Sequence, residues 1–330
     1  MSRQAEEGFA RAALQSGCRL SAGLAEARAL MGTGRPEQAE RVLSTLKPGS
    51  PAEAVRLAVF RARNLFWALD RPAEAEAVLL DAQLRGTPEL VALRARFAFA
   101  LGEPRTALAL AEPIEANPAA PEPARARAAV ALAEALAVCG RRDEAVAVAR
   151  RWEAHSERRL ACAQALAHWL ADDQDRAIVD AERAYAAATD PQGAAVTALQ
   201  LGHIRLSRGE LELALRWFRE SSVLLRSSDP VRMRPAALAG IAQVAAQSGD
   251  AAHARAVVAQ LDNAPGRGVG EELGLARAWT AHVSGDRAEA VRIATAVADA
   301  ATARGALGFA ARAHRERARI IKGSDPIGLR

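Results

Sequence analysis

Small apolar residues recur at fixed distances from turn residues along most of the chain. Eight times, a glycine or an aspartate is followed five positions later by alanine, with an average spacing of about 36 residues. Seven positions before the turn residue, alanine or glycine stands in every repeat except the one that has Arg63. The eight turn residues are Gly34, Asp70, Gly102, Gly140, Asp172, Gly209, Gly249 and Gly285.

This pattern predicts two helices in each repeat, joined by a tight turn. Glycine and aspartate tolerate the left-handed backbone conformation that ends many helices. Pro36, Pro72 and Pro104 each follow a turn residue by two positions, where proline favours the start of the next helix. The small residues are expected where the two helix axes cross, because only alanine or glycine lets the backbones approach to about 8 Å.

No pair of helices of this size buries its apolar face alone, so the pairs are expected to stack. We therefore predict an all-α, right-handed superhelical solenoid of about eight helical hairpins, with a half-repeat at each end. In this prediction residues 1–19 form a lone N-terminal helix and residues 20–303 form the solenoid. Residues 304–330 form a basic C-terminal helix and tail.

The positions of these small residues resemble those of tetratricopeptide repeats. That family has a small residue in the first helix, glycine at the turn and alanine in the second helix, and Phe218 and Leu43 stand where it prefers a large apolar residue. The family's tyrosine is missing here, and the spacing is longer and less regular than in the family. The resemblance implies a solenoid whose concave face is lined by the first helix of each hairpin.

A narrower similarity concerns residues 61–67 and 71–76. The segments RARNLFW and RPAEAE resemble the repeat region of large LuxR-type (MalT-like) bacterial transcription regulators. In that family the repeats connect an ATP-binding module to a helix-turn-helix. This chain has no G-x-x-x-x-G-K-[ST] loop, and residues 301–330 are too few for a recognition-helix domain. The resemblance implies a regulator's sensor arm, and the alternative is a free-standing scaffold with no role in transcription.

The residues six and three positions before each turn form two neighbouring stripes on the first helices. One stripe is mostly apolar and the other is mixed polar, so together they predict an amphipathic groove for a protein, a peptide or a small ligand. The alternative is that the aromatic residues only fill gaps between alanine-rich helices. The candidate groove residues are Arg28, Met31, Asn64, Trp67, Arg96, Phe99, Trp169, His203, Leu206, Trp279 and His282.

Composition supports the helical prediction and locates the net charge. About a quarter of the chain is alanine, half is hydrophobic and a quarter is charged, which is typical of a globular helical protein. The net charge of +5 is carried by residues 301–330. There Arg312, Arg315 and Arg319 share a helix face that could contact phosphate, but Glu316 interrupts it and a solvated face is favoured. Binding of nucleic acid through this basic tail is the less favoured alternative to a protein-interaction function.

No arrangement of residues predicts catalysis, a metal site or a cofactor. None of the six histidines lies three or four positions from another, so no helix presents a histidine pair to a metal. Gly266, Gly268 and Gly270 form G-x-G-x-G, but they follow a helix and a proline where a dinucleotide loop follows a strand. A non-enzymatic protein is therefore expected.

Cysteine usage and hydropathy indicate the compartment. No apolar run is long enough to span a membrane, and the first twenty residues lack the apolar core of a secretory signal. Cys18, Cys139 and Cys162 are odd in number and have no C-x-x-C spacing. We expect inert, buried thiols in a reducing cytoplasm.

Overall fold

The computed structural model describes residues 19–81, 84, 86–226, 229, 232–261 and 270–323. The predicted N-terminal lone helix therefore lies almost wholly outside the described residues, as do Cys18, the glycine-rich linker at 266–270 up to its last residue, and the end of the C-terminal tail. Within the described ranges all regular structure is helical, with no strand. The helices are α1 (19–32), α2 (Pro36–Thr45), α3 (Pro51–Arg63), α4 (Pro72–Leu79), α5 (Pro88–Ala100), α6 (Pro104–Ala116), α7 (Glu122–Val138), α8 (Arg142–Trp152), α9 (Glu157–Leu170), α10 (Gln174–Ala186), α11 (Pro191–Ser207), α12 (Leu211–Leu224), α13 (Arg234–Gln247), α14 (Ala251–Leu261), α15 (Gly270–Val283), α16 (Arg287–Ala303) and α17 (Leu307–Lys322).

The helices pair in sequence order, α1 with α2 through to α15 with α16, and α17 follows the last pair. Every one of the eight turn residues has a positive φ, between 58° at Asp70 and 92° at Gly285. The turns close as Schellman motifs: after α7, for example, the backbone N–H of Arg141 donates to the carbonyl of Leu136 at 2.9 Å. The prediction of an all-α solenoid of stacked helical hairpins is confirmed.

Alanine occupies the points where the two helices of each hairpin meet. The alanine five positions after each turn is completely buried in all eight repeats. Such positions admit no larger side chain, since each added methylene would push two helix backbones apart. These alanines are Ala39, Ala75, Ala107, Ala145, Ala177, Ala214, Ala254 and Ala290.

A π-helix explains why Arg63 breaks the small-residue rule. After α3 the chain forms a π-helical turn over Asn64–Ala68, in which the Leu69 N–H donates to the Asn64 carbonyl at 3.0 Å. The wider turn adds one residue to the register. Ala62 therefore takes the fully buried crossing position, and Arg63 is exposed.

One aromatic side chain fills a gap that two glycines leave. Phe218 of α12 is completely buried between Gly202 of α11 and Gly240 of α13. A Cβ atom at Gly202 would lie 2.6 Å from the Phe218 ring, and one at Gly240 would lie 2.5 Å from it. Phe218 thus occupies the large apolar position that the repeat pattern predicts, and it needs a glycine on each side.

The end of the solenoid returns to its middle. A Cβ atom at Gly308, in the first turn of α17, would lie 3.0 Å from the carbonyl oxygen of Ala137 in α7. Arg232, before α13, pairs with Asp70 of the second hairpin at 3.0 Å. The superhelix is therefore tight enough for distant repeats to touch across it. In the described ranges, no helix combines the length and the apolar run that crossing a membrane requires.

Candidate functional site

Helix α17 lies across the first helices of the C-terminal hairpins. It contacts α9 through Arg315, whose Nη2 donates to the carbonyl of Leu170 at 3.2 Å. It contacts α11 through Arg319, whose Nη2 donates to the carbonyl of Ser207 at 2.7 Å, and it reaches α15 through Arg312. A helix that touches three first helices at once occupies their concave side. Because Gly308 of α17 also lies against the end of α7, the chain itself covers the inner face from the C-terminal end of α7 to α15.

Trp169 lies at the centre of this contact and is only 3% exposed. Its indole N–H donates to the Ser207 hydroxyl at 2.8 Å, and its ring stacks on His203 with the centroids 5.5 Å apart. From α17, the Arg312 guanidinium lies 4.6 Å from the indole centroid and the Phe309 ring approaches edge-on at 6.3 Å. Every face of the indole has a partner, so Trp169 is a core residue of this structure.

A buried ion pair joins α17 to α15. Arg312 donates to both carboxylate oxygens of Glu272, at 2.8 and 3.0 Å, and His203 Nδ1 lies 3.5 Å from Glu272 Oε2. Burial lowers the pKa of His203 to about 4, although Glu272 opposes the shift. Burial raises the pKa of Glu272, but Arg312 and His203 outweigh it and the net pKa is lowered. The arrangement stabilises a carboxylate beside a neutral imidazole.

The other C-terminal candidates also lie in packed surroundings. Trp279 is buried and its indole N–H donates to Glu316 of α17 at 3.1 Å, while the His282 ring packs edge-on against it. Burial lowers the pKa of His282. Leu206 is buried in the cluster around Phe218. The structure therefore brings Trp169, His203 and Trp279 together beneath α17 and places Leu206 in the adjoining core.

The expectation of a solvated basic face on α17 is wrong. Arg312 is 3% exposed, and its charge is neutralised by Glu272. Arg315 and Arg319 are partly buried and donate to carbonyls at the ends of α9 and α11, where helix carbonyls lack partners and favour cations. The three arginines hold α17 in place, and they do not present a free face to phosphate.

The candidates of the first two hairpins lie in three different environments. Arg28 is exposed, with its guanidinium 5.4 Å from the centroid of the Phe60 ring. Met31 is half-buried against the apolar residues of α1 to α3. Asn64 is completely buried, and its amide donates to the Pro36 carbonyl at 3.0 Å. Asn64 thus faces α2 and not the inner surface.

The candidates Trp67, Arg96 and Phe99 are all half-buried. Trp67 packs edge-on against Phe66 and Phe97, with centroids 4.6 and 5.9 Å away. Arg96 of α5 forms an ion pair with Glu134 of α7. Phe99 packs against the cluster that contains Trp169, at the edge of the surface that α17 covers. The inner face therefore continues from the covered half into α5 and α3.

Sequence reasoning missed four arginines on this N-terminal half. These are Arg63, Arg127, Arg158 and Arg159. The positive charge of each lowers the pKa of Arg96 or of another arginine in this group. Arg63 was the one signal in the sequence, because it stands seven positions before a turn residue, where every other repeat has alanine or glycine. The stripes chosen from turn offsets skipped Arg127 and Arg159, because both lie thirteen positions before their turns.

A second polar cluster lies between α8 and α10, on the side of the second helices. A depression of about 360 Å³ is lined by Arg150, His168, Asp175, Arg176, Val179 and Asp180. His168 Nε2 lies 3.6 Å from Asp180 Oδ2, burial raises the pKa of Asp180 to about 6, and burial lowers the pKa of His168. Asp180 also pairs with Arg183 at 3.0 Å. No hydrogen bond joins His168 to Asp180 at this distance, and we assign no chemistry to these groups.

Other reactive groups are few in the described part of the chain. There, no three histidine, cysteine, aspartate or glutamate residues are placed to hold a metal ion. Cys162 is buried and Cys139 is partly buried, and burial raises the pKa of both thiols. Both thiols are therefore protonated and poorly nucleophilic at neutral pH.

Comparison with known proteins agrees with this geometry. The sequence model of the tetratricopeptide repeat matches residues 20–44, 88–113 and 126–151, which correspond to the first, third and fourth hairpins. The chain is a tetratricopeptide-type helical solenoid. No curated protein matches the sequence.

Two solved structures share this tetratricopeptide-type architecture. The crystal structure of a Rap protein complexed with competence and sporulation factor aligns with a TM-score of 0.60 at 14% identity, over 92% of this chain and 98% of that one. A signal transduction ATPase with numerous domains from Pyrococcus horikoshii, which has a tetratricopeptide repeat sensor, aligns with a TM-score of 0.57 at 13% identity. That alignment covers 98% of this chain and 52% of the larger protein. At such identities the likeness concerns the fold alone.

Proposed function

We propose that this tetratricopeptide-type solenoid is a non-catalytic binding domain that holds a peptide or a protein segment on the N-terminal half of its inner face. The observation that carries the proposal is the division of that face. From the C-terminal end of α7 to α15 it is covered by α17, whereas α3, α5 and the N-terminal part of α7 carry exposed Arg63 and Arg127 and half-buried Trp67 and Phe99. Accessible charge next to aromatic surface is the composition of a recognition site.

The finer part of the proposal is that this domain is the sensor arm of a LuxR-type transcription regulator. Two observations support it. The segments at 61–67 and 71–76 resemble the repeats of those regulators, and the fold aligns with a protein that joins a tetratricopeptide sensor to an ATPase. In such an arm, ligand binding at the inner face would be transmitted to modules outside the solenoid.

Selection from a phage-displayed library of random peptides tests the binding function. We expect purified chain to select peptides that bind with micromolar affinity by fluorescence anisotropy. Phe99→Ala should weaken this binding about tenfold, because it removes apolar surface from the inner face. Trp217→Ala is the matched control, because Trp217 is a partly buried aromatic residue of the second helix α12.

Two results would overturn the binding function. One is a failure to select any peptide with a folded, monodisperse preparation. The other is an equal loss of peptide affinity in Phe99→Ala and Trp217→Ala while the helical content of both variants is unchanged. Regulation is tested separately, by asking whether a selected peptide changes the activity of a regulator that carries the solenoid as its arm. A regulator that ignores a bound peptide would refute the sensor function alone.

A further inference from the structure

Helix α17 buries its arginines and exposes apolar side chains. All four arginines of the helix are buried or half-buried, and they are Arg312, Arg315, Arg317 and Arg319. The exposed side chains before Lys322 follow one another at three or four positions, so they share one face, and they are Leu307, Ala311, His314, Ala318 and Ile321. Helices at protein surfaces ordinarily have the opposite arrangement. Recognition of charged groups, and not apolar packing alone, therefore sets the orientation of α17.

The surface beneath α17 holds one of these arginines between an anion and an aromatic ring. The Arg312 guanidinium donates to both carboxylate oxygens of Glu272 and lies 4.6 Å from the centroid of the Trp169 indole. A guanidinium suits both partners, because it is planar, binds a carboxylate through two parallel hydrogen bonds and stacks on aromatic faces, whereas an ammonium group is a point charge. This position therefore selects arginine.

Further contacts extend along α17 and fix its direction. Arg315 and Arg319 donate to the carbonyls that end α9 and α11. Those carbonyls have no partner within their own helices and carry the negative end of the helix dipole. On the other side the Trp279 indole N–H donates to Glu316 at 3.1 Å. We call the set of Trp169, His203, Glu272, Trp279 and the carbonyl ends of α9 and α11 the covered surface.

The side chains that meet the covered surface have a spacing that only a helix satisfies. Counted from Phe309, whose ring approaches Trp169 edge-on, arginines follow three, six and ten positions later and a carboxylate follows seven positions later. Such positions lie on one face of an α-helix, whereas an extended strand would divide them between two faces. The covered surface therefore recognises an arginine-bearing helix.

The fit of α17 to the covered surface is incomplete. Both ring nitrogens of His203 and the Nε of Arg312 are buried and form no hydrogen bond with any described residue. A buried polar atom without a partner destabilises the contact that buries it. A foreign helix that offered a hydrogen bond to His203 would gain over α17. The α17 helix of a second copy would have no such advantage, because it brings the same side chains.

We propose that the covered surface binds an arginine-bearing amphipathic helix of a partner protein, and that α17 is an internal occupant which this helix displaces. The eight hairpins have their own turns and alanine crossings, and solenoids are held together by contacts between neighbouring repeats, so they persist when α17 leaves. The inference goes beyond the proposed function, which concerns the N-terminal half of the inner face.

A disulfide holds α17 in place for the test. A Cβ atom at Gly140, in the turn after α7, would lie 3.8 Å from the Cβ of Leu307, which is a distance that a disulfide spans. Asp70 and Asp172 occupy the equivalent turn positions with positive φ, so a side chain is tolerated there. The locked protein is the full chain with C139S/G140C/L307C, in which C139S removes the neighbouring natural thiol. Its oxidised and reduced forms are compared.

The probe is a peptide of residues 306–322 with fluorescein at its N-terminus and an amidated C-terminus, and fluorescence anisotropy reports its binding. The full-length variant R315A/R319A loosens α17 without altering the covered surface. We expect it to bind the probe at least about tenfold more tightly than the parent, in which α17 competes at a high effective concentration. When R315A/R319A is combined with the locked protein, oxidation should abolish this binding and reduction should restore it.

Two variants of the probe with equal charge test the specificity. Arg312 meets Glu272 and Trp169, whereas Arg317 donates to Thr295 of α16, outside the covered surface. We expect R312Q in the probe to weaken binding at least about tenfold and R317Q to leave it unchanged. Equal binding of the two probes would mean general attraction of a basic peptide and would overturn the inference.

The remaining outcomes are also decisive. If R315A/R319A is unfolded by circular dichroism, R319A alone replaces it in both comparisons. A folded variant that does not bind the probe, or an oxidised protein that binds as tightly as the reduced one, would show that α17 is a fixed structural helix and would overturn the inference. A parent chain that is dimeric by light scattering and becomes monomeric when locked would assign the surface to a second copy and overturn the partner helix. Oxidation should not change the affinity of library peptides for the N-terminal half, so failure of this inference leaves the proposed function standing.

Discussion

Arg312 and Glu272 form a two-hydrogen-bond ion pair, at 2.8 and 3.0 Å, between helices α17 and α15. The residues are 40 positions apart, and they are only 3% and 7% exposed. Charges taken so far out of water are tolerated only as a pair. The pair therefore couples the position of α17 to the inner face that it covers.

Removing one partner should destabilise the protein strongly. Arg312→Met leaves Glu272 buried without its counter-charge, and we expect a loss of about 3–5 kcal/mol in the free energy of unfolding, measured with urea. Arg292→Met is the control, because Arg292 forms an exposed, solvent-screened pair with Glu289 and its loss should hardly change the free energy of unfolding. Similar losses in both variants would contradict the buried pairing. The double variant Arg312→Met/Glu272→Met should recover part of the loss.

The contribution of His203 to the stability of the solenoid should fall between neutral and mildly acidic pH. Its pKa in the folded state is about 4, below the ordinary 6.5. As the pH falls from 6.5 towards 4, His203 binds a proton in the unfolded chain but stays neutral in the folded chain. The free energy of unfolding therefore decreases. The largest loss of folding stability from His203 over this pH range is about 3 kcal/mol, at roughly 1.4 kcal/mol per pH unit. Protonation of Glu272, whose pKa is lowered, acts in the same direction at lower pH.

A variant isolates the contribution of His203. Asp180 acts in the opposite sense, because its raised pKa of about 6 means that the folded state holds a proton longer than the unfolded state. The free energy of unfolding is measured against pH for the parent and for His203→Gln. Subtracting one profile from the other removes the contributions of groups that both proteins have, such as Asp180. We expect the parent's advantage over His203→Gln to shrink as the pH falls from about 7 to 4.5. An advantage that is independent of pH would refute the buried neutral imidazole.

Gly240→Ala should destabilise the protein although alanine is the better helix former. Its Cβ would lie 2.5 Å from the Phe218 ring, and such overpacking typically costs about 1–3 kcal/mol. Gly32→Ala is the control: its Cβ would meet nothing within 4 Å, so a small gain of about 0.5–1 kcal/mol is expected. Phe218→Leu should partly rescue Gly240→Ala in a double-mutant cycle. Additive effects would show that the ring and the glycine do not touch.

Neighbouring substitutions can verify the register shift at the π-helix. Ala62 is fully buried at the helix crossing and Arg63 is exposed, so Ala62→Leu should cost about 1–3 kcal/mol and Arg63→Ala less than about 0.5 kcal/mol. Urea unfolding of the two variants under identical conditions gives the comparison. The reverse order of costs would mean that position 63, and not position 62, occupies the crossing.

The hairpins could be predicted because their rules are local. The left-handed turns at Gly34 and Asp70 and the buried Ala39 and Ala75 each depend on a residue's own backbone and on a partner helix a few residues away. The binding stripe was less predictable. A single π-helical turn at Asn64–Ala68 buries Asn64 against α2 and leaves Arg63 exposed, and no local composition distinguishes that turn from an α-helix.

Amino-acid order alone determined the helical class, the turn positions and the alanine crossings, because periodicity and small side chains constrain neighbouring helices directly. Only the tertiary structure decided which residues of the first helices are accessible. The curvature of the superhelix accumulates over many repeats, and it brings Arg312 onto Trp169, 143 positions away, while Arg63 stays exposed. Such accumulated geometry is a property of the whole stack of repeats, and no single repeat contains it.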